Sequence, residues 1–167
     1  MDADIKKTVL RMIPYGIYVL IAKDTNGEIA AATVNWATQT PFDPPLVAVA
    51  VKADSGALAA QGDAGHFALN FLGKGQQSAA FAFFKPAAVE DHAISGDPYR
   101  ERSTEAPMLE SAPGCVEYQV VEVVAWGDHH IVIGEAVDVH LANPIDGRAD
   151  EAGLHMSELG DNVFYGG

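Results

Sequence analysis

Two apolar runs, Tyr15–Ala22 (YGIYVLIA) and Glu28–Val34 (EIAAATV), flank Asp24-Thr25-Asn26-Gly27, and this spacing is the strongest constraint in the chain. Asn-Gly between strand-like runs marks a tight hairpin, so the two runs pair antiparallel. The device recurs. Leu46–Val51 returns after Asp43-Pro44-Pro45, His66–Leu72 (HFALNFL) is another apolar run, and Cys115–Trp126 meets Ile131–Leu141 through Gly127-Asp128-His129-His130. So many apolar strands joined by short turns predict an antiparallel sheet closing into a barrel. Helices are expected at Asp4–Ile13, ended by Pro14, at Ser55–Gln61 with Ser55 as N-cap, and at Gln76–Phe84, stopped by Lys85-Pro86. Residues 87–113 dissolve into Pro, Gly and charge and read as a long loop or lid, and residues 143–167 as an irregular tail whose Phe164-Tyr165 can anchor on the body. The fold class is mainly β with flanking helices, in a single domain over residues 1–167.

Charge and composition narrow the function. Ten Lys and Arg against 23 Asp and Glu give a net charge of −13, which opposes nucleic acid and anionic membranes as partners. An anionic ligand must therefore be met by local cations or backbone N–H groups. The N-terminal segment has no signal-like apolar run, and the single cysteine, Cys115, rules out an internal disulfide framework. A cytoplasmic setting is expected. Cys115 alternates with Val116, Tyr118 and Val120 as a strand residue does, so it reads as packing rather than a reactive thiol. The six histidines show no metal spacing, no Gly-x-Ser-x-Gly elbow is present, and neither a Rossmann glycine fingerprint nor a P-loop occurs.

Candidate ligand residues gather elsewhere. Ala30–Val51 (AAATVNWATQTPFDPPLVAVAV) places Thr33, Asn35, Trp36, Thr38 and Gln39 between two buried strands, where hydrogen bonds and one aromatic face suit a planar ligand. Lys52 to Ala57 joins a strand to a helix N-terminus. There Lys52, Ser55 and the first N–H groups suit a phosphate, although Ser55 as a simple cap and Lys52 as a solvated charge is the commoner arrangement. Asn70, polar in an apolar strand, either bonds a neighbouring loop or faces a ligand. Trp36 is either core or ligand wall. Phe81, Phe83 and Phe84 read first as helix core.

Taken in order, TVNWATQTPFDPPLVAVAV, Lys52–Ala57, HFALNFL, FFKP and GDHHIVIGEAVDV resemble the flavin reductase family of FMN-binding split barrels over about residues 14–139. The Asn35-Trp36-x-x-Gln39 and Phe83-Phe84-Lys85-Pro86 elements look most like the flavin reductase domain of some flavodiiron proteins. The resemblance implies a flavin-ring loop of Thr33, Val34, Asn35, Trp36, Ala37 and Thr38. It implies a phosphate-proximal segment containing Lys52, Asp54, Ser55, Gly56 and Ala57. Asn70, Phe71 and Leu72 are implied along the flavin, with Phe84 and Lys85 as ring or phosphate neighbours. His129 is implied to orient the flavin or its reductant, and no metal is implied. The expected cofactor is FMN, ahead of FAD or riboflavin, with NADH or NADPH as hydride donor and free flavin or a protein as acceptor. A homodimer with the flavin site at its interface is also implied. The rival readings are an FMN electron carrier reduced by a protein partner and a cofactor-free interaction domain on the same barrel.

Overall fold

The structure is a computed structural model and describes residues 1–166. Its frame starts at the Asn-Gly hairpin. β1 (Tyr18–Lys23) pairs antiparallel with β2 (Ile29–Val34) from Tyr18↔Val34 to Lys23↔Ile29. Asp24 sets the turn, its carboxylate accepting the backbone N–H groups of Asn26 and Glu28 at 2.9 and 2.8 Å. Gly27, at φ +87°, takes the left-handed position that a side chain disfavours.

β3 (Ala37–Gln39) and β4 (Leu46–Lys52) follow, then helix α2 (Gly56–Ala64), β5 (His66–Phe71) and helix α3 (Gln77–Ala82). The long pair β10 (Gly114–Val124) and β11 (His129–Leu141) completes a seven-stranded antiparallel sheet in the order β2-β1-β5-β10-β11-β4-β3. Its two outer strands, β2 and β3, are consecutive in the chain and separated only by Asn35 and Trp36. Three Cα steps reach at most about 11 Å, whereas the edges of a flat seven-stranded sheet stand roughly 29 Å apart. The sheet must therefore curl, and Asn35–Trp36 is its seam. The Trp36 carbonyl accepts the Ala50 N–H of β4 at 2.8 Å, which fixes the seam against the sheet.

Both faces of β1 are buried, which explains its unbroken apolar sequence. Leu20 and Ala22 enter a cluster with Val49, Phe67, Leu69 and Val132, on which α2 packs through Ala57 and Ala60. Val19 and Ile21 enter a second cluster with Leu72, Ala80, Phe83, Ile94 and Leu154. Phe67 and Tyr118 stack at 5.0 Å beside Gly134 of β11. A Cβ at Gly134 would stand 2.8 Å from the Phe67 ring, so this close approach requires glycine.

Three expectations change. Residues 87–113 fold into a small four-stranded sheet, β6 (Val89–Glu90), β7 (Ala93–Ile94), β8 (Asp97–Arg100) and β9 (Met108–Leu109). Its strands are too short and too polar to show a periodicity; buried Ile94, Met108 and Leu109 attach it to the core. The tail carries helix α4 (Ala149–Ala152) and a turn of 3-10 helix, and Leu154 is tied in on both sides, to Ile17 and to Leu72. The N-terminal helix, α1 (Ala3–Leu10), is capped by Asp2 as its sequence allows, yet it buries none of its residues. No helix among the described residues is long and apolar enough to cross a membrane.

One buried carboxylate anchors the small sheet. Glu117 on β10 is fully buried and accepts the N–H groups of Ser103 and Thr104 at 3.3 and 2.8 Å, the Thr104 hydroxyl at 2.7 Å and His140 Nε2 at 2.7 Å. His140 and Asp138 complete a His–carboxylate group that sequence spacing does not reveal. Backbone donors converging on Glu117 identify it as a clamp on the 101–107 segment. Burial alone raises the Glu117 pKa, but Thr104, His140 and Ser103 outweigh it and hold the carboxyl below its ordinary value. A depressed folded value means that this stabilisation is full above the unfolded pKa and is lost as pH falls through the folded one. Glu117→Gln, which turns an amide against donors, should cost about 1–3 kcal/mol at pH 7. Its denaturation midpoint should also fall less between pH 7 and pH 3 than that of the parent, as followed by urea titration.

Candidate functional site

A cleft of about 740 Å³ opens along β2 beside the seam. Its floor is the small-residue run Ala30, Ala31 and Ala32, which leaves room above the strand for a flat group. Thr33, Val34 and Asn35 continue that side, the start of α2 forms one end, and Phe83 to Ala87 forms the opposing wall. The wall is placed by Thr33, whose N–H donates to the Phe83 carbonyl at 3.2 Å and whose hydroxyl donates to the Ala80 carbonyl at 2.6 Å. Phe83 then turns into the core, whereas Phe84 is exposed at the cleft with Phe81 edge-on at 5.3 Å.

The α2 end is built for an anion. Ser55 caps the helix, accepting the Leu58 N–H at 3.2 Å and donating its own hydroxyl to the Lys52 carbonyl at 2.7 Å. The N–H groups of Gly56 and Ala57, first in the helix, have no helical acceptor, and both residues line the cleft. Lys52 lies 3.0 Å from Asp54 in an exposed pair. Their hydrogen bond raises the Lys52 pKa and lowers that of Asp54, so both stay charged. Lys85 lines the same cleft and supplies a second cation.

At the seam, three rings meet. Trp36 is 4.8 Å from His129 and 5.4 Å from Tyr165, and His129 Nε2 lies 2.7 Å from the Tyr165 hydroxyl. His129 Nδ1 is 3.1 Å from Asp128, whose pKa that contact lowers. Asn35 is buried and its amide donates to the Tyr165 carbonyl at 3.2 Å. Burial raises the Tyr165 pKa, with Lys52 opposing and Asp128 and Asp54 reinforcing. Trp36 Nε1 is buried with no hydrogen-bond partner among the described residues.

The structure thus brings together Thr33, Val34, Asn35, Lys52, Asp54, Ser55, Gly56, Ala57, Phe84 and Lys85 in one cleft, with Trp36 and His129 joined to it through Tyr165. Five expected residues fall elsewhere. Ala37, Thr38 and Phe71 line a second cleft of about 460 Å³ with Tyr18, Leu46 and Val139. A strand's alternation, together with the turn at the seam, sends them to a different surface. Asn70 and Leu72 line neither of these two clefts. Leu72 is core, and Asn70 is fully buried, donating to the Val19 carbonyl at 3.2 Å and accepting the Leu109 N–H at 2.9 Å. Asn70 is therefore the structural peg joining β1, β5 and β9. Sequence reading missed Ile17, Pro86, Ala87 and Met156 as lining residues and assigned Tyr165 no ligand role. The Phe164-Tyr165 pair was the one legible signal among them.

The fold is a split β-barrel with a cleft beside its seam. A family model described as a flavin reductase like domain matches residues 10–156. A probable flavin reductase of Rhizobium meliloti is 30% identical over 119 residues, covering 71% of this chain and 37% of that protein. A flavin reductase (NADH) of Kitasatospora aureofaciens is 28% identical over 137 residues, covering 82% of this chain and 71% of that one. Among solved structures, the styrene monooxygenase flavin reductase of Pseudomonas putida S12 superposes with a TM-score of 0.71 at 25% identity, covering 85% and 89% of the two chains. The chain belongs to the flavin reductase-like domain family, and it spans little more than a third of the Rhizobium relative's length.

Asn70→Ala should cost about 1–3 kcal/mol, because the buried Leu109 N–H loses its acceptor. Flavin titration of the folded variant should return the parent's affinity, since the side chain does not line the cleft along β2.

Proposed function

We propose that this chain binds FMN in the cleft along β2 and catalyses its reduction by a reduced nicotinamide nucleotide. One observation carries the reading: a flat, apolar floor runs directly into a capped helix N-terminus with two free N–H groups and neighbouring lysines. A planar ring with one phosphate fits that order of surfaces, and the volume lies in the range of small-cofactor sites. When bound, the flavin supplies the redox chemistry, taking hydride from the nicotinamide and passing electrons onward.

The protein's part is placement. Ala30–Ala32 and Phe84 bound the ring, Gly56, Ala57, Lys52 and Lys85 receive the phosphate, and Asn35 presents a polar edge at the seam. His129, held between Asp128 and Tyr165, orients the ring or its donor and transfers no proton in the hydride step. The name of the Kitasatospora relative favours NADH as reductant. Acceptors are free flavin or a protein partner; the acidic surface suits a basic partner. Buried Cys115, whose thiol pKa burial pushes up, is inert and compatible with a reducing cytoplasm.

We further propose a homodimer with the second cleft at its interface. Support comes from Val137, Val139 and Leu141, which form an exposed apolar stripe on β11, with Val139 also lining that cleft. A second copy there brings Ala37 and Thr38 to the interface beside the seam. Light scattering should return twice the chain mass, and Val139→Asp should return a single one.

Ser55→Asp keeps a competent helix cap but adds a carboxylate where the phosphate is received. FMN affinity should fall roughly tenfold, the equivalent of about 1.4 kcal/mol of repulsion, whereas riboflavin affinity should stay within roughly threefold. Equal losses for both flavins would move the phosphate away from α2. Anaerobic mixing of the FMN-loaded protein with NADH and with NADPH should bleach the flavin; a protein left oxidised by both is a carrier.

A further inference from the structure

We propose that residues 163–166 form a strap belonging to the flavin site, with Tyr165 as a positioning residue that holds Asn35, Trp36 and His129 in one arrangement. This deepens the FMN reading above and rests on it.

The seam needs such a device. Asn35 and Trp36 must close the barrel in two residues, and only the Trp36 carbonyl is held by the sheet, through Ala50. The strap supplies the remaining restraints from three directions. The Tyr165 carbonyl takes the buried Asn35 amide, its ring packs on Trp36, and its hydroxyl meets His129 at 2.7 Å. Tyr165 itself lines the cleft beside Lys52 and Asp54, so it touches both the seam and the anion end.

The strap is anchored on either side of Tyr165. The Arg11 guanidinium sits 4.1 Å over the Phe164 ring, and Arg11 Nε donates to the Gly166 carbonyl at 3.4 Å. Gly166 has φ +112°, and a Cβ there would stand 3.0 Å from the Trp36 ring. Glycine thus lets the strap lie flat against the tryptophan. Arg11, the C-cap of α1, does not line the cleft along β2, yet it is tied to it through these two contacts. This gives the otherwise unpacked N-terminal helix a structural connection to the flavin.

The chain's two tryptophans, Trp36 and the exposed Trp126, would both emit. A Trp126→Phe background therefore makes fluorescence a reporter of Trp36 alone. In that background Tyr165→Ala should shift the emission of flavin-free protein to the red and weaken FMN binding roughly tenfold. Both variants keep the main-chain carbonyl that takes the Asn35 amide. Tyr165→Phe also keeps the ring on Trp36 and loses only the hydroxyl contact to His129, so its FMN affinity should fall between those of the parent and Tyr165→Ala. Arg11→Ala, remote from the cleft, should weaken binding by roughly twofold to fourfold through the strap, with unchanged circular dichroism. The proposal is overturned if Tyr165→Ala binds FMN as tightly as the parent, if Trp36 emission does not move, or if Tyr165→Phe is as weak as Tyr165→Ala. A parent that binds no flavin removes the FMN reading and this proposal together. A binding parent with an indifferent Tyr165→Ala removes this proposal alone.

Discussion

Everything in this molecule depends on the two-residue closure at Asn35–Trp36. β2 and β3 are neighbours in sequence but opposite edges of the hydrogen-bonded sheet. Because the peptide chain cannot stretch, the sheet has to curl until its edges meet. Curling turns Leu20, Phe67, Leu69 and Val132 inward to a common core and forces glycine at 134 where Phe67 and Tyr118 stack. It also leaves a place where strand pairing stops and a cleft begins. The cleft lies beside the point of closure, where the ladder is interrupted between β2 and β3.

Buried polar groups divide by what satisfies them. Asn70 and Glu117 are fully buried and each has partners on several elements, so they fix the small sheet to the barrel. Ser55 and Thr33 use their hydroxyls to set a helix start and a cleft wall. At the seam the partners come from a remote segment, residues 163–166, held by modest contacts.

Much of the candidate cleft is legible in the sequence. Ser55 reads as an N-cap and is one, and Thr33, Val34, Asn35, Lys52, Asp54, Ser55, Gly56, Ala57, Phe84 and Lys85 line one cleft. These residues lie on contiguous segments, each carrying its own local signal. The misplacements have physical causes. Asn70 looks the same in sequence whether its amide meets a ligand or a carbonyl, and only the arrival of β9 decides between them. Ala37 and Thr38 follow the seam, where the strand turns onto another surface. The 87–113 segment gave no period because its strands are two to four residues long.

The sequence by itself determined the antiparallel hairpins and the capped helix, because turn chemistry, apolar alternation and helix capping act over a few neighbouring residues, and the order of its motifs carried the resemblance to the family. Only the tertiary structure decided that the barrel closes at Asn35–Trp36, that Glu117, Asp138 and His140 form a clamp, and that Tyr165 stands beside His129. Tertiary contacts of this kind join residues as far apart as Arg11 and Gly166, 155 positions along the chain. They arise from strand order and chain reach, which no local pattern encodes.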